Sequence, residues 1–293
     1  MPGRTYTTLR TETDAGVRSL VLCRPQAYNT ITPELRDDLV AAIHEAETDP
    51  GVRVILLRAE GPAFCAGYGL DWATPAQRAE ERDGRVWDSV ADLEFLTPFV
   101  DAFMRLWYAR IPTLAAVQVW CIAGGTDMVL CADLIVAGEG ASFGYPPARV
   151  WGTPTTAMWV HRLGVERAKR YLLTGDEIPA VEAARIGLIL ETVPDDRLQE
   201  HAMALARRMA LMPRNQLVML KTLCNHSVEN MGMASARLLG TVFDGIARHT
   251  REGRDFVERA RQEGFRQAVR ERDDPFGDYG SRSRGDAGGS PPR

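Results

Sequence analysis

Apolar segments of strand length alternate with amphipathic segments along the first two thirds of the chain. Residues 17–23 (VRSLVLC) are mostly apolar and are typical of a short β-strand. A helix is predicted next, because Thr32 is a suitable N-cap and Pro33 suits the first helical position. Residues 52–60 (VRVILLRAE) form a second predicted strand. Its nearly continuous apolar character indicates a strand that is buried on both faces.

The same alternation continues to residue 193. A second helix is predicted to open at Thr97 and Pro98 and to end before Pro112. Strands that alternate with helices need crossover connections, so the sequence predicts an α/β core. Further predicted strands are 113–120, 134–138 and 187–193, and further predicted helices are 124–132, 155–174 and 179–186.

The alternation ends at Pro194, which suggests three parts along the chain. Residues 1–194 form the predicted α/β core, and residues 195–272 have the pattern of consecutive helices. Residues 273–293 are rich in Gly, Ser and Pro and are predicted to be a disordered tail. Within the core, the polar stretch 72–97 is predicted to be either a pair of surface helices or a mobile flap.

The charged residues narrow the range of partners. The 35 basic residues are 33 Arg and two Lys, and 39 acids give a net charge of −4. This balance does not favour nucleic-acid binding, which needs a basic face, but it leaves small anionic ligands open. The Arg excess is also explained by genomic base composition alone. Five Cys without a CxxC pair, no apolar stretch of membrane-spanning length and no signal-peptide pattern predict a cytoplasmic protein without membrane association.

Two glycine-rich segments follow predicted strands, residues 64–70 (FCAGYGL) and 122–128 (IAGGTDM). A glycine turn at a helix N-terminus presents backbone N–H groups to an anion or a developing oxyanion. Close packing of a strand against a helix would equally explain either segment. The dinucleotide and P-loop fingerprints and the Gly-x-Ser-x-Gly elbow are absent from the sequence, and the five His lack metal-ligand spacing. No metal site is therefore predicted.

Four segments of the sequence carry motifs that are informative when taken together and in order: LCRPQAYNTIT (22–32), AFCAGYGLD (63–71), AAVQVWCIAGGTDMVLCADLIVA (115–137) and LTGDEIPAVEAARIGLILETV (173–193). In this order they resemble the enoyl-CoA hydratase/isomerase (crotonase) superfamily, over about residues 5–265. The resemblance implies a crotonase-like α/β fold of ββα spiral-type repeats with a C-terminal helical trimerisation region. It also implies an acyl-CoA thioester substrate, with coenzyme A as part of the substrate and no separate cofactor.

The resemblance assigns catalytic roles to three positions. The backbone N–H groups of Tyr68 and Gly124 would hold the thioester oxygen as an enolate forms. Asp127 matches the first catalytic Glu of the hydratases, with a side chain one methylene shorter. A capping carboxylate in the first turn of a helix is the alternative interpretation of Asp127. Asp133, another position that the family shares, is interpreted as structural.

The first glycine segment and an arginine are the implied contacts with CoA. The loop residues Ala66, Tyr68, Gly69, Leu70 and Asp71, together with Gly124, would line the channel for the adenine and pantetheine groups. Arg24 would lie near the phosphates, where relatives often use Lys. An Arg guanidinium binds phosphate through a planar fork, so this replacement is chemically sound. Arg from the late helices could add to it.

The sequence departs from the family at the second catalytic Glu. The corresponding position is Pro147, or Ala148 if one residue is inserted, and neither side chain transfers a proton. Hydration of a conjugated thioester normally uses two carboxylates. The candidates for a substitute are weak ones: Tyr145, Trp151, His161 and Asp71. Tyr145 and Trp151 are weak because most buried aromatic side chains only pack.

Four functions remain open from the sequence. The leading one is enoyl-CoA hydratase/isomerase-type chemistry, a lyase or isomerase reaction of the kind used in fatty acid metabolism. An acyl-CoA decarboxylase or C–C hydrolase of the same superfamily is the second, because such members also lack the second Glu. A non-catalytic acyl-CoA-binding protein is the third, and a globular protein without CoA affinity is the fourth. The resemblance further implies a homotrimer or a hexamer.

Overall fold

The computed structural model describes residues 5–69 and 88–279. Its strands lie in two sheets. The strands are β1 (Leu9–Asp14), β2 (Val17–Leu22), β3 (Val54–Ala59), β4 (Thr113–Val117), β5 (Trp120–Ile122), β6 (Leu134–Gly138), β7 (Ser142–Gly144), β8 (Ile178–Pro179) and β9 (Glu191–Val193).

The larger sheet has the strand order β1-β2-β3-β4-β6-β9, and the smaller one has the order β5-β7-β8. In the larger sheet only the β1–β2 pair is antiparallel. Parallel neighbours need crossover connections, and helices supply them here. The α/β class predicted from the sequence is therefore confirmed.

The helices connect the strands as far as β9 and then follow one another without interruption by strands. They are α1 (Pro33–Thr48), α2 (Ser89–Tyr108), α3 (Gly124–Val129), α4 (Met158–Leu163), α5 (Val165–Leu172), α6 (Ala180–Ile186), α7 (Leu198–Ala210), α8 (Arg214–Glu229), α9 (Met233–Arg248), α10 (Arg251–Glu263) and α11 (Phe265–Asp273). The predicted cap of α1 is confirmed, since the Thr32 hydroxyl accepts a hydrogen bond from the N–H of Leu35 at 3.3 Å. Within the described ranges no helix is both long and apolar enough to span a bilayer.

The central strands of the larger sheet, β2, β3, β4 and β6, are buried on both faces, as their continuous apolar sequences predicted. One face packs against α7, where Leu198, Ala202 and Ala206 contact alternate strand residues such as Val54 and Leu114. The other face contributes the intervening residues to the main core, together with α1 and α2. The sheet is thus a rigid layer, and the loops after its strands are held in fixed positions.

The structure corrects the sequence prediction at α2. This helix begins at Ser89, with the Asp88 carboxylate accepting from the N–H of Val90 at 2.9 Å, and Pro98 lies in its interior. The prediction took Pro98 as a helix start because Pro lacks the N–H that an interior position needs. Part of the polar stretch 72–97 therefore belongs to α2, and its residues up to 87 lie outside the described part of the chain.

Residues 273–279 also differ from the prediction, which placed them in a disordered tail. They pack on the core, because the guanidinium of Arg149 binds Asp273 and Asp278 and lies 3.8 Å from the ring centroid of Phe276. The remaining tail, residues 280–293, lies outside the described residues. The division between a core and a helical region at residue 194 stays a prediction.

Candidate active site

The two glycine-rich segments predicted from the sequence lie side by side. The segment after β3 is joined to β5 by hydrogen bonds from the N–H of Cys65 to the carbonyl of Trp120 at 3.0 Å and from the N–H of Ile122 to the carbonyl of Cys65 at 3.1 Å. On its other side it bonds to Ile31, whose N–H donates to the carbonyl of Gly67 at 2.8 Å. The first segment is therefore held from both sides.

Glycine is required where these two segments meet. Gly67 has φ +90°, and a Cβ there would lie 2.8 Å from the Cβ of Ala123 and 3.4 Å from the backbone nitrogen of Gly124. A Cβ at Gly125 would lie 2.5 Å from the carbonyl oxygen of Cys65. The glycines thus bring the backbone after β3 against the N-terminus of α3. Ala123, the N-cap of α3, has a positive φ of 54°, which marks a strained turn.

The ring of Tyr68 fills the space above Gly124. A Cβ at Gly124 would lie 2.8 Å from Cε2 of that ring. The ring also contacts Phe99 edge-on, with 5.5 Å between centroids, and its centroid lies 6.3 Å from that of Phe103. Tyr68 is therefore clamped between α2 and the start of α3.

A cavity of about 220 Å³ opens at this junction. The glycine-rich segments contribute Ala66, Tyr68, Ile122, Ala123 and Gly124 to its wall. The N-terminus of α3 thus faces the cavity, with the N–H of Gly124 in the first turn of the helix, where no intrahelical acceptor exists. Residues of both glycine-rich segments therefore border the cavity.

The segment after β7 and the last helices complete the wall. Tyr145, Pro146, Pro147, Trp151 and Gly152 come from the first of these, and Asp244, Arg248, Phe265, Val269 and Arg272 come from α9 and α11. The lining is therefore mostly apolar, with a few charged groups that converge from the C-terminal helices. This composition is typical of a small-molecule site.

Sequence reasoning missed Asp244 and Arg248. They form an ion pair at 3.1 Å, one turn apart on α9, in which Asp244 is buried and Arg248 is half-buried. A signal was present in the sequence, because an acid within the otherwise apolar stretch LLGTVFDGIA is unusual on a helix that packs against a core. Nothing local in that stretch indicates that α9 reaches the glycine turns.

Asp127 lies in the first turn of α3 and is 1% exposed. Its Oδ2 accepts hydrogen bonds from the N–H of Thr155 at 2.9 Å and from its hydroxyl at 3.0 Å. No hydrogen-bond partner for its Oδ1 occurs among the described residues. Burial raises the pKa of Asp127 to about 7, against the lowering effect of the Thr155 hydrogen bonds. Asp127 is not part of the cavity wall.

Asp127→Asn is expected to remove a pH dependence of stability. The folded-state pKa of about 7 lies above the ordinary value of 3.8, so the wild type loses stability as the pH rises through this range. The free energy of unfolding, measured by urea titrations at pH 5 to pH 8, should therefore increase for the variant relative to the wild type as the pH rises. Asp37→Asn, at a side chain 59% exposed, is the control. A difference between variant and wild type that is constant across this range would contradict the expectation.

The other predicted site residues are placed as follows. Gly69 is buried and donates to the carbonyl of Ile31 at 3.0 Å, and Arg24 is half-buried with its Nη1 3.3 Å from the hydroxyl of Thr32. Neither lines the cavity, whereas Ala66, Tyr68 and Gly124 do. Leu70 and Asp71 lie outside the described residues.

Some of the candidate substitutes for the missing Glu line the cavity and others do not. Tyr145 and Trp151 line the cavity, and the hydroxyl of Tyr145 donates to the carbonyl of Thr153 at 2.8 Å. His161 lies on α4 away from the wall, and burial lowers its pKa. Asp133 contacts Nζ of Lys221 at 2.8 Å and the N–H of Thr113 at 2.7 Å, which supports the structural interpretation of this acid.

The strand order, the paired glycine turns and the C-terminal helices over them define a crotonase-type fold, and solved structures share it. An enoyl-CoA hydratase from Mycobacterium smegmatis matches with a TM-score of 0.89 at 41% identity, covering 94% of this chain and 96% of that one. An enoyl-CoA hydratase/isomerase from Xanthobacter autotrophicus Py2 matches with a TM-score of 0.86 at 29% identity, covering 93% of this chain and 99% of the other.

The sequence comparisons agree with the fold. A probable enoyl-CoA hydratase from Rhizobium meliloti is 31% identical over 227 residues, which are 76% of this chain and 83% of the relative. The sequence profile of the enoyl-CoA hydratase/isomerase family matches residues 12–268. The chain belongs to the enoyl-CoA hydratase/isomerase family.

Proposed function

We propose that this protein catalyses proton-transfer chemistry beside the carbonyl of an acyl-CoA thioester, of the enoyl-CoA hydratase/isomerase type. The single observation that supports this proposal most strongly is the junction of the two glycine-rich segments at one cavity. It brings Tyr68 and Gly124 together in the wall, from positions far apart in the sequence.

In the proposed mechanism, the thioester carbonyl accepts hydrogen bonds from the backbone N–H groups of Tyr68 and Gly124. When a proton leaves the α-carbon, negative charge develops on that oxygen, and the two donors stabilise it. Preorganised donors of this kind contribute about 3 to 4 kcal/mol each to a transition state. The positive end of α3 acts in the same direction.

The family resemblance assigns Asp127 as the acid in this mechanism. Its carboxylate is bound to Thr155 and lies outside the cavity wall, so a direct role would require that contact to be released. A pKa of about 7 suits proton transfer at neutral pH. Because Pro147 stands in the wall where a second acid is expected, addition of water by a pair of carboxylates is less favoured than a reaction that needs one acid.

The wall suits an acyl group with apolar or aromatic character. Trp151 packs on Phe256 at 5.2 Å between centroids, and Phe256 packs on Phe265 at 5.5 Å. This aromatic cluster joins α10 and α11 to the segment after β7. In the proposal, Arg24 binds the CoA phosphates. Lys221, one of the two lysines of the chain, is not available for this role because it is buried against Asp133.

Absorbance of the conjugated thioester tests the proposal. Loss of absorbance from short, medium and aromatic 2-enoyl-CoAs would mark hydration, and a gain from 3-enoyl-CoAs would mark isomerisation. No change with any of them would contradict hydratase/isomerase chemistry. Release of CO2 or of a carboxylic acid would then support decarboxylation or C–C hydrolysis, and calorimetric binding without turnover would support a non-catalytic acyl-CoA-binding protein.

We further propose that the C-terminal helices form contacts between copies of this chain. Large apolar side chains are exposed on α8 and α9, and such clusters are unusual on a helix surface that faces solvent. These residues are Met219, Leu220 and Leu223 on α8 and Leu238, Leu239 and Phe243 on α9. Light scattering should give the mass of a trimer or a hexamer, and a monomeric mass would contradict the proposal.

A further inference from the structure

One carboxylate belongs to the cavity wall in the described part of the chain, that of Asp244. Its side chain is nearly completely buried, with 5% of the residue exposed. Oδ1 accepts a hydrogen bond from the N–H of Thr153 at 3.2 Å, and Oδ2 lies 3.1 Å from Nη2 of Arg248. These two contacts fix the orientation of the carboxylate at the wall.

Gly152 shows where Asp244 lies relative to the position of the missing acid. A Cβ at Gly152 would lie 2.8 Å from the Cβ of Pro147 and 3.3 Å from Oδ1 of Asp244. It would also lie 3.5 Å from the hydroxyl of Tyr145. Residues 147 and 244 therefore border the same space, which is open because residue 152 is a glycine. The carboxylate of Asp244 comes to this space from α9 instead of from the segment after β7.

The approach of α9 to this segment is built into the fold. A Cβ at Gly240 would lie 2.5 Å from the carbonyl oxygen of Pro154, so the helix backbone contacts the segment directly. The hydroxyl of Thr153 donates to the carbonyl of Gly240 at 2.9 Å. One turn along the helix, Asp244 accepts a hydrogen bond from the N–H of the same threonine. The position of Asp244 is therefore set by the helix backbone as well as by its own side chain.

We propose that Asp244 moves the proton at the α-carbon of the bound thioester and that Arg248 is a positioning residue for its carboxylate. This inference rests on the proposed function. The carboxylate of Asp244 takes the α-proton, and the C–H electron pair forms the C=C bond of the enolate. The carbonyl π pair moves to oxygen, which the N–H groups of Tyr68 and Gly124 hold. Return of the proton to the α-carbon regenerates the carboxylate, so no further reactant is needed. With a 3-enoyl thioester the enolate is a dienolate, and return of the proton to its γ-carbon, with the double bond moved to the α,β position, completes an isomerisation.

The surroundings of Asp244 suit this task. Burial raises the pKa of Asp244, while the Arg248 charge and the N–H of Thr153 oppose the increase. The other ionisable groups that face it are Asp92 on α2, Asp127 on α3 and the hydroxyls of Tyr68 and Tyr145. A base with a raised pKa is effective near neutral pH.

Exchange of the α-protons of butyryl-CoA and phenylacetyl-CoA in D2O, followed by proton NMR, tests the inference. Asp244→Asn should lower the exchange rate about 100-fold and leave the dissociation constant from calorimetry within about threefold of the wild type. Asp101→Asn, at an exposed side chain on α2, is the control and should exchange like the wild type. A wild type that binds no thioester, or exchanges none, would contradict the proposed function itself.

Two further variants keep the inference testable if Asp244→Asn does not fold. Asp244→Glu should retain part of the exchange rate. Arg248→Gln should move the rise of the exchange rate to higher pH, because loss of the positive charge raises the pKa of Asp244. Exchange by Asp244→Asn within threefold of the wild type would overturn the inference. So would a loss in Asp127→Asn that Asp244→Asn does not show, or an unshifted pH profile in Arg248→Gln.

Discussion

Gly124→Ala is expected to lower the rate of α-proton exchange on the order of 100-fold, the loss typical of one oxyanion donor. The new Cβ would lie 2.8 Å from Cε2 of Tyr68 and 2.9 Å from Cδ1 of Ile31. The tyrosine ring also contacts Phe99 edge-on at 5.5 Å between centroids, which restricts its movement. A turn of the ring into the cavity, or a shift of the Tyr68 backbone, would disturb the place of the thioester oxygen. The measurement is exchange of butyryl-CoA in D2O.

The double variant Tyr68→Ala with Gly124→Ala separates this cause from general damage. It removes the tyrosine ring that the new Cβ meets, leaves the contact with the flexible end of the Ile31 side chain, and keeps both backbone N–H groups. We expect it to recover most of the exchange rate lost in Gly124→Ala, and Tyr68→Ala alone to retain activity. Recovery would show that the Tyr68 side chain is dispensable while the backbone at this position is not. A double variant as slow as Gly124→Ala would contradict the clamped geometry.

Arg149→Met is expected to lower the free energy of unfolding by about 3 kcal/mol, the lower end of the usual cost of breaking a buried ion pair. The Arg149 side chain is 2% exposed, and its Nη1 lies 2.9 Å from Oδ1 of Asp273, which is fully buried. Without this partner, Arg272 is the one charged partner of Asp273 left among the described residues, and the contact that holds residues 273–279 is lost. Urea unfolding gives the change in free energy.

Arg170→Met is the matched control for this prediction. Arg170 pairs with Asp176 at 2.7 Å, as Arg149 does at 3.5 Å, but its side chain is 57% exposed. Exposed pairs contribute about 1 kcal/mol or less, because water already solvates both charges. A loss in Arg149→Met no larger than that in Arg170→Met would contradict a supporting role for the buried cluster.

The sequence predicted the parts of the fold that depend on local pattern. Strands β2, β3 and β6 were visible because both of their faces are apolar, and α1 because Thr32 and Pro33 are a strong start signal. Strand β1 was missed because its sequence LRTETD is polar, and it pairs only with β2 at the edge of the sheet. Its extended conformation comes from pairing, which no local pattern reveals.

The candidate site divides in the same way. The glycines at 67, 124 and 125 were recognisable, because close backbone approach excludes other residues. Asp244 was not, because its contact with Thr153 joins positions 91 residues apart. That contact exists only because Gly240 lets α9 approach the segment after β7. The function of an acid is set by what the fold brings to it, and here the last helices do so.

Deuterium incorporation at the α-carbon of saturated acyl-CoAs tests most directly whether this cavity stabilises a thioester enolate. It detects the enolate itself and does not depend on the final product. We predict that the wild type labels butyryl-CoA or phenylacetyl-CoA in D2O well above the rate in buffer, and that Gly124→Ala largely abolishes labelling. Thioester binding in calorimetry with labelling no faster than in buffer would contradict the account.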